Sequence, residues 1–145
     1  YEPAPHATAF PNEGPERFEG MIVVRAELTS MCSHHHQPVK GVAFIGLIPT
    51  GEVIGLSKYV RIAQWCARRG QLQENLCNQI AKEIMKVTDT ENVAVYIQAT
   101  HGCMEHRGVM AHSSATTTAV VHGLFHNDSV KKEFFDHVKM KNHVE

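Results

Sequence analysis

The spacing of apolar residues along the chain predicts an α+β fold built from four main strands and three helices. Apolar and polar residues are interleaved in the stretches assigned to strands, whereas apolar residues recur every three or four positions in those assigned to helices. The predicted strands cover residues 21–31, 39–49, 93–100 and 108–125, and the predicted helices cover residues 57–69, 72–87 and 127–140. The order is therefore β-β-α-α-β-β-α, without an internal repeat of fixed period.

Two of the predicted helices carry amphipathic stripes that indicate packing against a core. In the first helix, the apolar positions at i, i+3, i+4, i+7 and i+8 are Tyr59, Ile62, Ala63, Cys66 and Ala67. In the second helix, the stripe comprises Leu72, Leu76, Cys77, Ile80, Ala81, Ile84 and Val87. Ser57 is the predicted N-cap of the first helix, and Gly70 ends it. Cys66 and Cys77 are explained as core residues by their places in the stripes.

Length and composition indicate a single domain preceded by an arm. The chain has 145 residues, of which 43% are apolar, 20% charged and 7% aromatic. A chain of this size forms one hydrophobic core. Residues 1–20 hold four of the six prolines and little apolar periodicity. We therefore predict an extended N-terminal arm at 1–20 and a single domain at 21–145.

Charge and apolar run length argue against several classes of partner. The 14 basic and 15 acidic residues give a net charge of −1, which provides no field for nucleic acid or anionic lipid. No apolar run approaches the ~20 residues of a membrane helix, and none near the start resembles a secretory signal. Four cysteines are too sparse for a disulfide scaffold, so a reducing, cytoplasmic setting is expected.

Two short motifs combine cysteine with histidine directly after predicted strands. They are Cys-Ser-His-His at 32–35 and His-Gly-Cys at 101–103. Two cysteines and one histidine would give zinc three protein ligands and leave the fourth position to water, as in catalytic sites. A closed structural zinc site would need a fourth protein ligand, for which the candidates are His34, His36 and His101. A site without metal, with the cysteines as small apolar residues, is the other interpretation.

Further polar residues suggest proton transfer and anion binding. His34 and His101 are candidates for proton transfer beside a metal, because imidazole titrates near neutral pH. The candidate anion contacts are Ser57 and Lys58 at a helix start, Arg61 one turn later, and Arg107 after the second motif. Gln73 and Glu74 open the second helix, where a carboxylate could receive the amino group of a ligand.

Five motifs in order resemble the GTP cyclohydrolase I family over residues 21–135. They are Cys-Ser-His-His at 32–35, Gly-Leu-Ser-Lys at 55–58 with Arg61, Gln-Leu-Gln-Glu at 71–74, His-Gly-Cys at 101–103 with Arg107, and Ser-Ala-Thr-Thr-Thr at 114–118. The resemblance implies a tunnelling fold (T-fold), in which an antiparallel sheet carries two helices on one face and subunits join into an oligomeric barrel. It also implies a decamer of two stacked pentamers with active sites between subunits.

The resemblance assigns a role to each candidate residue. The implied zinc ligands are Cys32, His35 and Cys103, and the implied proton-transfer residues are His34 and His101. The implied substrate contacts are Gln73 and Glu74 for guanine, Ser57 for the ribose and phosphate end, and Lys58, Arg61 and Arg107 for the triphosphate. The implied reaction is zinc-dependent hydrolysis of GTP at C8, which yields 7,8-dihydroneopterin triphosphate and formate for folate or another pterin or deazapurine pathway.

The chain departs from the family pattern at two places, which define the alternatives. Ser33 stands where the family usually has glutamate, and the chain begins about twenty residues before the first predicted strand, where family members carry a helical region. We therefore expect either a naturally short form or a trimmed chain. The functional alternatives are a non-catalytic purine- or pterin-binding T-fold oligomer and a cyclohydrolase for a less phosphorylated guanine nucleotide. A sister nitrile reductase would need a cysteine nucleophile, and Cys66 and Cys77 lie on core stripes.

Overall fold

A computed structural model of the protein describes residues 5, 9–14, 20–31, 38–69, 75–101 and 115–142. In chain order, the elements of this part are β1 (Ala9–Pro11), β2 (Ile22–Met31), β3 (Pro38–Leu47), β4 (Glu52–Ile54), α1 (Leu56–Arg69), α2 (Leu76–Thr88), β5 (Val93–His101), β6 (Ala115–Val121), a 3-10 turn (Gly123–His126) and α3 (Asp128–Asn142). The predicted order of main elements is confirmed, and the short strands β1 and β4 are additional. No helix within the described ranges is long and apolar enough to cross a membrane.

The main sheet is antiparallel and has the strand order β2-β3-β5-β6. One face is covered by α1, which packs on β2, and by α2, which packs on β5. Alternate strand residues such as Leu28, Ile45 and Val95 meet the buried helix stripes in one core cluster. The prediction of an antiparallel sheet with two helices on one face is therefore confirmed. Every second residue of a strand and every third or fourth residue of a helix lie on one face, and these faces pack together here.

The third helix covers the opposite face of the sheet, which the sequence analysis did not predict. Phe44 and Ala94 of the sheet pack there against Phe134 of α3 and Phe125 of the 3-10 turn. The Phe125 and Phe134 rings meet edge to face with centroids 5.6 Å apart. Gly46 permits this close approach, since a Cβ at this position would lie 2.6 Å from Cδ1 of Phe134. The domain therefore has helices on both sides of its sheet.

A second, two-stranded sheet joins the predicted arm to the domain. β1 pairs antiparallel with β4, and Ala9 lies opposite Ile54. The Asn12 N–H donates to the Gly51 carbonyl at 2.8 Å and continues this pairing. Ala9 also packs against the core cluster between the helices and the main sheet. Residues Ala9–Pro11 of the arm thus form a strand that pairs with the residues just before α1.

Several predicted boundaries were wrong. β3 ends at Leu47 rather than at residue 49, and α1 begins at Leu56, so Ser57 lies inside the first helical turn and not at the N-cap. The predicted strand 108–125 is correct only over Ala115–Val121, while residues 108–114 lie outside the described ranges. Gly123 has a φ of 62°, a left-handed conformation that glycine adopts easily, and the chain turns there from β6 into the 3-10 turn.

Candidate active site

The register of the main sheet places the strand ends that lead into the two cysteine and histidine motifs at the same edge. Met31, the last residue of β2, pairs with Pro38 at the start of β3. Val39 pairs with His101, the last residue of β5. The chain segments that carry the two motifs therefore leave the sheet at the same end. We call this end, which is marked by Met31, Pro38 and His101, the motif edge.

Chain geometry limits how far apart the motif cysteines can lie. Cys32 directly follows Met31, and Cys103 is the second residue after His101. Only β3 separates β2 from β5, and adjacent strands lie about 4.8 Å apart, so the two strand ends are about 10 Å apart. Consecutive Cα atoms span about 3.8 Å. The separation of the two strand ends is therefore compatible with the predicted binding of one zinc ion by both cysteines, through bonds of about 2.3 Å.

Most of the predicted site residues lie outside the described residues. These are Cys32, His34, His35, Gln73, Glu74, Cys103 and Arg107. For His101, the structure gives the backbone, which ends the ladder opposite Val39. Among the side chains that the structure does describe, no group of three or more His, Cys, Asp or Glu could hold a metal ion. The ligand set is thus a prediction that the backbone register makes sterically possible.

The predicted phosphate contacts that the structure describes share the first turns of α1. Ser57 and Arg61 are exposed, and Lys58 is half-buried. The Lys58 N–H donates to the Gly55 carbonyl at 2.9 Å, and the first turn holds no acidic residue. Within the described part of the chain, Lys58 and Arg61 form no ion pair. A helix N-terminus with two nearby cations suits an anionic ligand such as a phosphate.

The described residues do not join the start of α1 to the motif edge. β3 runs away from that edge and ends at Leu47, after which the chain passes through β4 to α1. The ten residues of β3 span about 30 Å. No hydrogen bond within the described ranges links Ser57, Lys58 or Arg61 to the end of β5. Within one copy of the chain, the described residues therefore show no contact between the predicted site residues of α1 and those at the motif edge.

The predicted guanine-recognition pair at positions 73 and 74 immediately precedes α2, which is anchored over the middle of the sheet. Sγ of Cys77 lies 3.2 Å from Oγ1 of Thr118 on β6. Thr118 pairs with Ile97 of β5 in the ladder. Ile97 is four residues before the end of β5, about 13 Å from the motif edge. The first turn of α2 therefore lies over the middle of β5, about 13 Å from the motif edge.

The two cysteines assigned to the core are indeed buried. The side chains of Cys66 and Cys77 are almost inaccessible to solvent. Burial raises the pKa of the Cys77 thiol, an effect that its contacts with Thr118 and the Ile97 backbone partly offset. A buried, protonated thiol is a poor nucleophile. This burial argues against the nitrile reductase interpretation.

The structure also contains a polar groove that sequence reasoning missed. It has a volume of about 400 Å³ and is lined by Glu27, Leu28, Thr29, Lys40, Gly41, Val42 and Gln98. Nε2 of Gln98 donates to the Tyr96 hydroxyl, and Nδ2 of Asn142 at the end of α3 donates to Oε1 of Gln98. The signal for this groove was the change from apolar to polar residues at alternate strand positions near the motif edge. It lies on the sheet face opposite α1 and α2.

Comparisons with known proteins agree with the resemblance. The family described as GTP cyclohydrolase I matches residues 1–139. The chain is 47% identical over 117 residues to GTP cyclohydrolase 1 1 of Pseudomonas syringae pv. tomato, which covers 81% of this chain and 63% of that protein. It is 46% identical over 116 residues to GTP cyclohydrolase 1 1 of Pseudomonas aeruginosa, with 79% and 62% covered.

A third relative extends the comparison beyond Pseudomonas. The chain is 41% identical over 126 residues to GTP cyclohydrolase 1 of Campylobacter jejuni subsp. doylei, with 86% of this chain and 66% of that protein covered. The chain thus spans 62–66% of the length of these three curated relatives, which is less than two thirds. The family match covers nearly all of the sequence, including all five motifs. The chain belongs to the GTP cyclohydrolase I family.

Proposed function

We propose that the protein is a zinc-dependent GTP cyclohydrolase I that hydrolyses GTP at C8 to 7,8-dihydroneopterin triphosphate and formate. The observation that carries the proposal is the register of the main sheet, which brings the ends of β2 and β5 to the motif edge. Family membership supports it, because relatives of similar sequence are named GTP cyclohydrolase 1. The product would enter a pterin pathway, such as the synthesis of folate.

In this proposal Cys32, His35 and Cys103 hold the zinc ion. Two thiolates and one imidazole fit zinc, and three protein ligands leave one position open, as catalysis requires. A zinc ion bound there supplies Lewis acidity that activates water near neutral pH. Thiolate ligands must stay reduced and deprotonated. A cytoplasmic setting, as expected from the sparse cysteines, meets the first of these needs.

His34 and His101 move protons in the proposed reaction. Water adds to C8 of the purine while an imidazolium donates a proton to the ring nitrogen, and the bond between C8 and that nitrogen then breaks. A second water releases formate from the resulting formamide, and rearrangement of the ribose followed by ring closure, which expels one water, gives 7,8-dihydroneopterin triphosphate. Imidazole suits both steps, since its ordinary pKa of about 6.5 lets it donate and accept protons at neutral pH. Pairing with Val39 fixes the backbone of His101 at the motif edge.

Gln73 and Glu74 recognise guanine in this proposal. The Glu74 carboxylate accepts hydrogen bonds from N1–H and the 2-amino group, with help from the Gln73 amide. Adenine offers neither donor in that arrangement, so a site built for guanine would leave a buried carboxylate unpaired against it. Selection of guanine therefore depends on where the chain places the residues just before α2.

Ser57, Lys58, Arg61 and Arg107 bind the ribose and triphosphate end of GTP. Because α1 starts away from the motif edge of its own chain, we propose that a neighbouring copy supplies these α1 residues and that active sites lie between subunits. The outer strands of the described sheet, β2 and β6, have edges that can pair with neighbours. Pairing of this kind closes a ring of five copies, and two rings form the decamer that the resemblance implies.

The test measures formate released from GTP by zinc-loaded protein, together with the fluorescence of the oxidised pterin. We expect one formate for each GTP consumed. In His101→Ala, kcat should fall by about 10²–10⁴-fold while zinc is retained. The matched control is His126→Ala, since His126 is an exposed histidine of the 3-10 turn and lies outside the proposed site.

Other outcomes would replace the proposal with one of its alternatives. Tight binding of GTP without formate release would favour a non-catalytic purine- or pterin-binding oligomer. Faster release of formate from GDP or GMP than from GTP would favour a cyclohydrolase for a less phosphorylated nucleotide. No product from any guanine nucleotide at full zinc loading would contradict the proposed reaction.

A further inference from the structure

The N-terminus of α2 lacks the side-chain cap that usually fixes a helix start. Asn75 occupies the N-cap position with φ −77° and ψ −13°, and its side chain makes no capping hydrogen bond. The Gln79 N–H donates to the Asn75 carbonyl at 3.1 Å, which begins the regular helix. Helix ends without caps fray easily, because their first N–H groups lack intrahelical partners. A contact other than the cap must hold the start of α2 in place.

One contact that holds the start of α2 is the pair formed by Cys77 in its first turn and Thr118 on β6. The Cys77 Sγ and Thr118 Oγ1 atoms are 3.2 Å apart, within hydrogen-bond distance for sulfur. Cys77 is only 1% exposed, and Leu76 beside it is equally buried. Because burial keeps the Cys77 thiol protonated at neutral pH, the pair has a proton available for a hydrogen bond in either direction.

The same contact gives a role to the Ser-Ala-Thr-Thr-Thr motif, which the proposed reaction does not use. Successive side chains on a strand point to opposite faces, and Thr118 faces α2 while Thr117 faces the other side of the sheet. Thr118 is half-buried, whereas Thr117 is exposed. One threonine of the motif thus ties β6 to α2, and its neighbour offers a matched control on the same strand.

We infer that Cys77 and Thr118 are positioning residues that set guanine selectivity, by fixing the start of α2 directly after Gln73 and Glu74. The inference rests on the proposed function, in which Glu74 binds the guanine edge. Glu74 is three residues before Cys77, less than one helical turn of chain. A small displacement of the Glu74 carboxylate would weaken its hydrogen bonds to guanine, because hydrogen bonds depend steeply on distance and angle.

The experiment compares GTP with inosine triphosphate, which lacks the 2-amino group. Initial rates of formate release by zinc-loaded protein give kcat and KM for GTP, and competition gives the inhibition constant of inosine triphosphate. The variants are Thr118→Val and Cys77→Ala, with Thr118→Ser and Cys77→Ser as conservative replacements that keep a hydroxyl donor. Thr117→Val is the matched control, because it makes the same change on the exposed face of β6.

We expect Thr118→Val and Cys77→Ala to raise the KM for GTP about tenfold. This is the size of one lost hydrogen bond between Glu74 and the guanine edge. The inhibition constant of inosine triphosphate should rise less, because this nucleotide has only N1–H to lose as a donor to Glu74, and kcat and zinc content should change little, so selectivity for guanine falls. Thr118→Ser and Cys77→Ser should restore selectivity, and Thr117→Val should match the wild type. In the double variant Cys77→Ala/Thr118→Val, the loss should be smaller than the product of the single losses, because both act through one contact.

The inference is overturned if the variants lose thermal stability or kcat while the ratio of the two constants stays at the wild-type value, since that pattern is purely structural. Multiplicative losses in the double variant would also overturn it. If Cys77→Ala does not fold, the Thr118 variants decide the question alone. Failure of the proposed function is distinguished by the wild type, which would then release no formate from GTP.

Discussion

Gly46 is the position where the packing of α3 on the sheet is most sensitive to a single added methyl group. In Gly46→Ala the new Cβ would lie 2.6 Å from Cδ1 and 2.8 Å from Cε1 of Phe134, and 3.2 Å from Cζ of Phe125. Both rings are fully buried and in edge-to-face contact, so neither can move without disturbing the other. Overpacking of this kind costs about 1–3 kcal/mol of folding free energy.

The assay is thermal unfolding of zinc-loaded protein, with all variants at one protein concentration because oligomerisation contributes to apparent stability. At roughly 3 °C per kcal/mol for a chain of this length, the apparent Tm of Gly46→Ala should fall by about 3–9 °C. Gly51→Ala is the matched control, since a Cβ at Gly51 would meet nothing within 4 Å. Its apparent Tm should stay close to that of the wild type.

A second variant tests whether contact with Phe134 causes the loss of stability in Gly46→Ala. Phe134→Leu removes ring atoms from the crowded side of Gly46 and alone should destabilise the core, because it leaves space. In Gly46→Ala/Phe134→Leu the two changes compensate, so the combined loss should be smaller than the sum of the single losses by about 0.5–3 kcal/mol. Additive losses, or a Gly46→Ala variant as stable as Gly51→Ala, would refute the packing of α3 described above.

Three further predictions concern the phosphate contacts, pH and the metal. Arg61→Ala should raise the KM for GTP about 10- to 100-fold, the size of a lost charged hydrogen bond. The control Lys132→Ala, which breaks an exposed ion pair with Asp136 on α3, should leave the KM unchanged. Equal KM values in the two variants would contradict the assignment of Arg61. Burial raises the pKa of Cys77 above its ordinary value of 9.0, so above about pH 9 the unfolded chain releases a proton that the folded chain keeps. The apparent Tm should therefore fall as the pH rises above about 9, and it should fall less in Cys77→Ala. Parallel curves of Tm against pH for the two proteins would contradict this. Chelation should abolish formate release and lower the apparent Tm, both restored by zinc; activity that survives complete zinc removal would contradict the metal assignment.

The elements that the sequence predicted well are those with a local signal. The stripe that includes Tyr59 and Ile62 predicted α1, because a period of 3.6 places those residues on one buried face. The pair of β1 and β4 gave no such signal, since each strand has three residues and their pairing joins distant parts of the chain. The end of β6 was missed for a similar reason, because it depends on a distant residue. Asn92, just before β5, accepts a hydrogen bond from the Leu124 N–H through its Oδ1 and so holds the turn at Gly123.

The face of α3 was open to prediction but was not predicted. β3 is apolar on both faces, since Ala43 and Ile45 meet α1 and α2 while Val42 and Phe44 meet the α3 side. A continuous apolar run indicates a strand buried on both faces, so a further covering helix could have been inferred. The register that brings the ends of β2 and β5 to one edge could not be read from the local pattern, because only tertiary pairing sets it.

X-ray absorption at the zinc edge of the zinc-loaded protein tests the central claim most directly. If the motif edge brings Cys32 and Cys103 to one ion, each zinc should have two sulfur neighbours at about 2.3 Å and nitrogen or oxygen neighbours at about 2.0–2.1 Å. Cys103→Ala should lose one sulfur neighbour or the metal itself, whereas Cys66→Ala should leave the spectrum unchanged. A zinc ion with one sulfur neighbour or none in the wild type would contradict the claim that the two motifs share one metal.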